Sequence, residues 1–217
     1  MSKVSPSLLS GDFANMGLST EQATEWGADY IHCDVMDGRF VPNITFGMGM
    51  VKALRAHTTL PLDVHLMILE PEKYIGEFLS AGADIISFHP DACKNIDGTI
   101  DLIHSRGKKA GLVVNPDISL DVIYPYADKL DMVILMGVFP GFGGQKFIES
   151  TLEKIRELRE YVDKNGLSLE IEMDGGATES NAKALRDAGV DVIVGGSSVF
   201  KSDDPARTIR VLGGKNA

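Results

Sequence analysis

Two imidazoles and two carboxylates, His32, Asp34, His65 and Asp174, stand near the ends of short apolar runs in a chain of 217 residues. His32 and Asp34 lie two apart in Tyr30-Ile31-His32-Cys33-Asp34-Val35-Met36-Asp37-Gly38. On a strand, that spacing turns both side chains to one face. His65 ends the run Asp63-Val64-His65, and Asp174 ends Glu172-Met173-Asp174 before Gly175-Gly176. Carboxylates inside apolar strands need a compensating charge. One divalent metal ion supplies it, and two His with two Asp suit a borderline ion: zinc first, with iron(II), manganese or cobalt as alternatives.

Glycines mark a second chemistry. Gly175-Gly176 and Gly195-Gly196 sit where two successive strands run into loops, the second pair followed by Ser197-Ser198. Pro140-Gly141-Phe142-Gly143-Gly144-Gln145 follows an earlier strand. Glycines let backbone N–H groups turn toward an anion. Metal ligands and a phosphate cradle together point to metal-assisted proton transfer on a small phosphorylated substrate.

These residues need elements that converge. Apolar runs recur at 4–9, 30–35, 62–66, 85–88, 110–114, 132–136, 169–173 and 192–194. They are near-continuously apolar, as strands buried on both faces are. Helical spacing appears between them at 19–26, 48–57, 71–81, 96–106, 120–126, 150–165, 178–188 and 205–211. Gly82, Gly107, Gly166 and Gly189 follow helices where a left-handed residue is expected, and Pro71 and Pro205 suit first turns. Eight strand–helix pairs predict an α/β fold, a (β/α)8 TIM barrel forming one domain over 1–217, in preference to an open doubly wound sheet. In such a barrel the strand C-termini carry the active site, and the loops after strands seven and eight often hold phosphate.

Several polar residues have plainer expected roles. Asp37 precedes Gly38 and reads as a turn residue. His89 ends the fourth strand before Pro90 and stands open between structure and substrate contact. His57 and His104 fall on predicted helices and read as surface residues. Cys33 reads as a buried structural thiol, and it and Cys93 are too few for a disulfide framework.

Composition narrows the class. With 44% hydrophobic residues the chain can bury one substantial core. A net charge of -10 disfavours nucleic acid as a partner but not a small anion, because local amides and a metal outweigh the global field. No stretch approaches the roughly 18–20 apolar residues of a membrane span. Met1-Ser2-Lys3-Val4-Ser5-Pro6 lacks the apolar core of a signal peptide, so a cytoplasmic location is expected.

At these residues the chain closely resembles the ribulose-phosphate 3-epimerase family, nearly end to end. The resemblance rests on Ser5-Pro6-Ser7-Leu8-Leu9-Ser10, His32-Cys33-Asp34-Val35-Met36-Asp37-Gly38, Phe40-Val41-Pro42-Asn43, Asp63-Val64-His65-Leu66-Met67, Pro140-Gly141-Phe142-Gly143-Gly144-Gln145 and Asp174-Gly175-Gly176. It implies an isomerase that epimerises C3 of a ketose phosphate, D-ribulose 5-phosphate to D-xylulose 5-phosphate, in the pentose phosphate pathway. It implies His32, Asp34, His65 and Asp174 as metal ligands, with Asp34 and Asp174 also the acid–base pair acting through an enediolate. Ser7, His65, Asp174, Gly141, Phe142, Gly143, Gly144, Gly175, Gly176, Gly196 and Ser197 would hold the substrate. Met36, Met67 and Met136 would cap its reacting carbons. The family often forms homo-oligomers, dimers or hexamers.

The chain departs from the family pattern before Pro140. Members commonly have Ser or Thr, then Val, then Asn or Asp, where this chain has Gly137-Val138-Phe139. Met48 and Gly49 also stand where Pro is common. Phe139 is expected to reshape the loop or narrow a pocket edge. The close rival is therefore a 3-epimerase of a hexulose phosphate such as D-allulose 6-phosphate. A metal-free decarboxylase would want an Asp-x-Lys-x-x-Asp strand, and a Schiff-base aldolase a strand-end Lys; the chain has neither. A non-catalytic sugar-phosphate sensor would be expected to have lost a ligand, and all four are present.

Overall fold

The computed structural model describes residues 1–215. Eight strands form one all-parallel sheet: β1 (Lys3–Pro6), β2 (Ile31–Met36), β3 (Leu62–Met67), β4 (Ile85–Phe88), β5 (Lys109–Val114), β6 (Met132–Met136), β7 (Glu170–Asp174) and β8 (Val192–Gly195). From β2 to β8 each strand pairs with its sequence neighbour, and β1 pairs with β8. The ring closes between β1 and β2 through a parallel bridge from Ser7 to His32, and the N–H groups of Asp29 and Tyr30 donate to the carbonyl of Val4. The architecture is the expected (β/α)8 barrel.

The near-continuous apolarity of the strands has a two-sided explanation. Alternate residues such as Cys33, Val35, Val64, Leu66, Ile171 and Met173 pack outward against helices in the main core. The intervening residues face the barrel interior, where Ile85, Val113, Met132, Ile134 and Val192 form a separate apolar cluster. The rest of the interior is polar: Ser5, Asp63, Ser87 and Glu172 are all fully buried, as is His32 above them.

The α-helices are α1 (Met16–Glu25), α2 (Met48–Leu54), α3 (Ile75–Ala81), α4 (Ile96–Ser105), α5 (Thr151–Asn165), α6 (Ala182–Ala188), α7 (Ser197–Phe200) and α8 (Pro205–Gly213). In α5, Ile155, Leu158 and Val162 form the buried stripe, and Gly166 ends the helix at φ 62°. Truncating Leu158 to Ala would cost about 2–5 kcal/mol, the range for buried leucines. Gly82, Gly107 and Gly189 also have positive φ, as expected of helix-ending residues. Pro205 opens α8 behind Asp204, whose carboxylate accepts from Arg207 N–H.

Five expected elements are shorter or different. The helix expected over 48–57 is α-helical only to Leu54 and closes as a 3₁₀ turn, Arg55–His57, and that expected over 71–81 opens as a 3₁₀ turn, Pro71–Lys73, before α3 begins at Ile75. The segment 120–126 is not an α-helix but two 3₁₀ turns, Leu120–Val122 and Tyr124–Tyr126. Pro125 lacks the N–H that a continuous helix there would use. The first strand stops at Pro6, and Leu8–Ser10 forms a 3₁₀ turn capped by the Ser7 hydroxyl. The helix expected from residue 178 begins at Ala182, after a turn at 179–181 in which Thr178 N–H is bonded to the Asn181 side chain. α7, a four-residue element directly after β8, was not anticipated.

Candidate active site

The four proposed ligands converge at the C-terminal end of the barrel. β2 supplies His32 and Asp34, β3 supplies His65, and β7 ends on Asp174. Their alignment comes from strand register: His32 pairs across the ladder with Asp63, and Asp34 with His65. All four are buried, and one donor atom from each lies within 4.8 Å of the others.

The imidazole nitrogens test whether a cation fits. His32 Nε2 and His65 Nδ1 are buried and have no hydrogen-bond partner. Both face the same two carboxylate oxygens. His32 Nε2 is 3.4 Å from Asp34 Oδ1 and 3.7 Å from Asp174 Oδ2. His65 Nδ1 is 3.6 Å and 3.4 Å from those same atoms. Bonds of about 2.0–2.1 Å in a tetrahedron place ligand atoms roughly 3.3–3.4 Å apart. The donor set therefore fits a divalent ion in size and in chemistry.

The carboxylates raise the proton affinity of both imidazoles. Burial opposes charge on His32, but the carboxylates of Asp63 and Asp34 outweigh it and raise its pKa well above the ordinary value. His65 is raised in the same way by Asp174 and Asp34. Burial acts to raise Asp34, yet His32 beside it holds the carboxyl far below its usual range. One layer down, burial and the neighbouring Asp63 push Glu172 well above the carboxylate range.

Above the cluster opens a cavity of about 410 Å³. Its wall includes Ser7, Asp34, Met36, Met67, Met136, Gly141, Phe142, Gly143, Gly144, Asp174, Gly175, Gly176, Gly196 and Ser197. The proposed substrate residues are thus brought together with one exception: His65 lies beneath the wall, fully buried. Ser7 Oγ donates to Asp34 Oδ2 at 2.5 Å, holding the oxygen that does not face the imidazoles.

The glycine-rich end of the cavity is shaped by close backbone approach. Gly175 and Gly176 both have positive φ, and a Cβ on Gly176 would stand 2.6 Å from the backbone of Phe147. No side chain larger than hydrogen fits there. Ser197 and Ser198 begin α7, and the first N–H groups of a helix have no partner within it.

Other residues take the expected plain roles. Asp37 is a turn residue: its carboxylate accepts from the N–H groups of Arg39, Phe40 and Leu69. His57 and His104 are partly exposed and pair with Glu21 and Asp131. Cys33 is fully buried, and burial pushes its thiol up to about 12. His89 does not line the cavity; it is buried behind His65. The Phe139 ring does not narrow the pocket edge: the residue is exposed and absent from the wall. Its backbone carbonyl accepts from Gln145 Nε2, which also bonds the carbonyl of Phe142.

The sequence reading missed Ser10, Ser198 and Lys201 in the wall, and Asp63 and Glu172 below it. Strand periodicity carries the signal for the last two, because each lies two residues before a proposed ligand. Ser198 lies within a run already noticed. Lys201 follows a helix too short for any periodicity to reveal.

The model of the family described as "Ribulose-phosphate 3 epimerase family" matches residues 3–200. The ribulose-phosphate 3-epimerase of Bacillus subtilis (strain 168) is 50% identical over 99% of this chain and 99% of its own length. That of Escherichia coli (strain K12) is 45% identical over 95% of this chain and 92% of its own length. Among solved structures, KGPDC from Streptococcus mutans superimposes with a TM-score of 0.75 at 13% identity, over 99% of this chain and 97% of that one. At that identity the likeness is one of fold. The family match and the relatives covered nearly end to end show that the chain belongs to the ribulose-phosphate 3-epimerase family.

Proposed function

We propose that this protein is a metal-dependent 3-epimerase that interconverts D-ribulose 5-phosphate and D-xylulose 5-phosphate. One observation carries the reading. Two unpartnered imidazole nitrogens face Asp34 Oδ1 and Asp174 Oδ2 on the floor of a cavity with glycines and serines at its other end. That arrangement joins cation ligands, two carboxylates and an anion cradle at the scale of one small sugar phosphate. The relatives named above carry the same activity in their names.

His32, Asp34, His65 and Asp174 would hold the ion, zinc by preference for a two-His, two-carboxylate set. When bound, it supplies Lewis-acid stabilisation of the negative charge that develops on the substrate oxygens. The protein's own groups do the proton work. One aspartate takes the C3 proton from one face, and the other, protonated, returns a proton to the opposite face. The centre is thereby inverted, and the roles exchange with direction. Ser7, hydrogen-bonded to Asp34, steadies that carboxylate and sits at the substrate's carbonyl end. Met36, Met67 and Met136 exclude water from the reacting carbons. Gly141, Phe142, Gly143 and Gly144, with Gly175, Gly176, Gly196 and Ser197, take the phosphate end.

Among the described residues no helix is long and apolar enough to cross a membrane. We place the enzyme in the cytoplasm as a homo-oligomer, dimer or hexamer, of chains that each form one catalytic domain; family resemblance supports both. No observation favours a hexulose phosphate over the pentulose.

The test is a coupled assay of xylulose 5-phosphate formation from ribulose 5-phosphate, run beside allulose 6-phosphate, before and after chelation. The reading predicts turnover of the pentulose that chelation abolishes and zinc restores. Turnover of allulose 6-phosphate alone would overturn the substrate, and turnover unaffected by complete metal removal would overturn the metal.

A further inference from the structure

Behind each imidazole stands a residue that the ligand set leaves out. The His32 ring turns Nδ1 away from the cavity, 2.7 Å from Asp63 Oδ2, with Glu172 Oε1 farther off at 3.3 Å. Asp63 is fully buried, and Ser5 Oγ donates to the same oxygen at 3.3 Å. The His65 ring turns Nε2 away, 3.0 Å from Nε2 of His89. His89 is stacked on His65, with ring centres 5.1 Å apart, and Phe40 packs against its ring at 4.7 Å. Neither Asp63 nor His89 lines the cavity, so neither touches substrate.

We propose that Asp63 and His89 are positioning residues that fix the rotation and tautomer of the two imidazoles, and that they do so unequally. The inference rests on the metal reading above. A neutral imidazole that gives one nitrogen's lone pair to a cation carries its proton on the other nitrogen. His32 must then donate from Nδ1 to Asp63, and His65 from Nε2 to His89. Accepting at Nε2 leaves His89 its own proton on Nδ1. A hydrogen bond to a carboxylate is roughly twice as strong as one between neutral groups. His32 is therefore the firmly held and more strongly donating ligand, and His65 the more weakly supported one. The register explains how one strand serves both ends: β3 places Asp63 behind His32 on β2 and, two residues on, His65 beside Asp34. Partners of this kind orient metal-bound imidazoles and commonly change metal affinity about 10–100-fold when lost.

The test uses the full chain, stripped of metal and titrated with zinc against a competing chelator. Asp63→Ala is expected to weaken zinc binding about 10–100-fold, with Asp63→Asn between it and the wild type. His89→Phe is expected to weaken it less, and His89→Gln, which restores a neutral acceptor, to recover it. Nitrogen-15 NMR of the unmutated zinc-loaded protein needs no variant to fold. It should show protons on His32 Nδ1, His65 Nε2 and His89 Nδ1. Wild-type zinc affinity in both Asp63→Ala and His89→Phe, or a proton on any other of these nitrogens, would overturn the proposal. A wild type that takes up no zinc would overturn the metal reading, and this inference with it.

Discussion

Gly137, the residue after β6, lies so close to the loop after β7 that a Cβ on it would stand 2.2 Å from the carbonyl oxygen of Gly175. Gly137 N–H also donates to the carbonyl of Asp174 at 2.6 Å. The position of Asp174 and of Gly175-Gly176 is thus set partly by the smallness of residue 137. Gly137→Ser, which installs the hydroxyl common in the family, should push this loop outward. The expected cost is about 1–3 kcal/mol, as for other overpacked sites, read as a lower urea midpoint with a raised KM. An unchanged midpoint and KM would show that the loop yields freely.

Phe139, two residues on, should behave differently. Its ring is outside the cavity wall, so Phe139→Asn is expected to leave kcat/KM for ribulose 5-phosphate within about twofold, and stability within about 0.5 kcal/mol as for most surface changes. Steady-state kinetics on that variant decide the point. A tenfold change would place the ring against substrate in the working enzyme.

The two carboxylates should be separately indispensable. Asp174→Asn and Asp34→Asn each keep an oxygen where the ligand stood but remove the proton acceptor. Each should lower kcat about 10²–10⁴-fold, the usual contribution of a positioned acid or base. Metal analysis of the same samples separates lost chemistry from lost metal. Near wild-type kcat in either variant would remove that aspartate from the proton path.

Ser7 tests the support of Asp34. Ser7→Ala removes a hydrogen bond to a carboxylate, worth about 1.5–3 kcal/mol, and with it the cap of the Leu8–Ser10 turn. kcat/KM should fall roughly 10–100-fold while metal content stays intact. A fall in metal content alone, with normal activity of the loaded fraction, would assign Ser7 to the metal site instead.

Acidity should compete with the metal. In metal-free protein, His32 and His65 hold their protons above the ordinary 6.5, because the surrounding carboxylates outweigh burial. A raised folded pKa stabilises the metal-free fold below the unfolded value, and that contribution is lost as pH rises through the folded pKa. Metal binding needs those nitrogens free. The gain in Tm on adding zinc should therefore be small near about pH 6 and grow as pH rises above the imidazole range. Thermal unfolding with and without zinc measures it, and an equal gain at both ends would contradict the proton–metal competition.

Much of this was legible in the chain itself. Eight buried strands announce themselves through short, mostly apolar runs, even where β2, β3 and β7 turn charged residues inward, and period-two spacing aligns His32 with Asp34. The connection after β5 misled because 120–126 has helical spacing, yet Pro125 breaks it into two short turns. His89 stayed ambiguous because a strand-end histidine looks the same whether it meets substrate or another imidazole. Only the fold shows that its Nε2 meets His65. Phe139 misled in the opposite sense: its place in a substrate loop says nothing of which way the ring points.

Proton transfer at C3 is the step assigned to Asp34 and Asp174 in a metal-loaded site. The direct measurement is NMR of D-ribulose 5-phosphate with the metal-analysed protein in heavy water. Deuterium should enter C3 as xylulose 5-phosphate appears, and both should stop on chelation and in Asp174→Asn. An unexchanged C3 proton in fully metal-loaded wild-type protein would contradict the account.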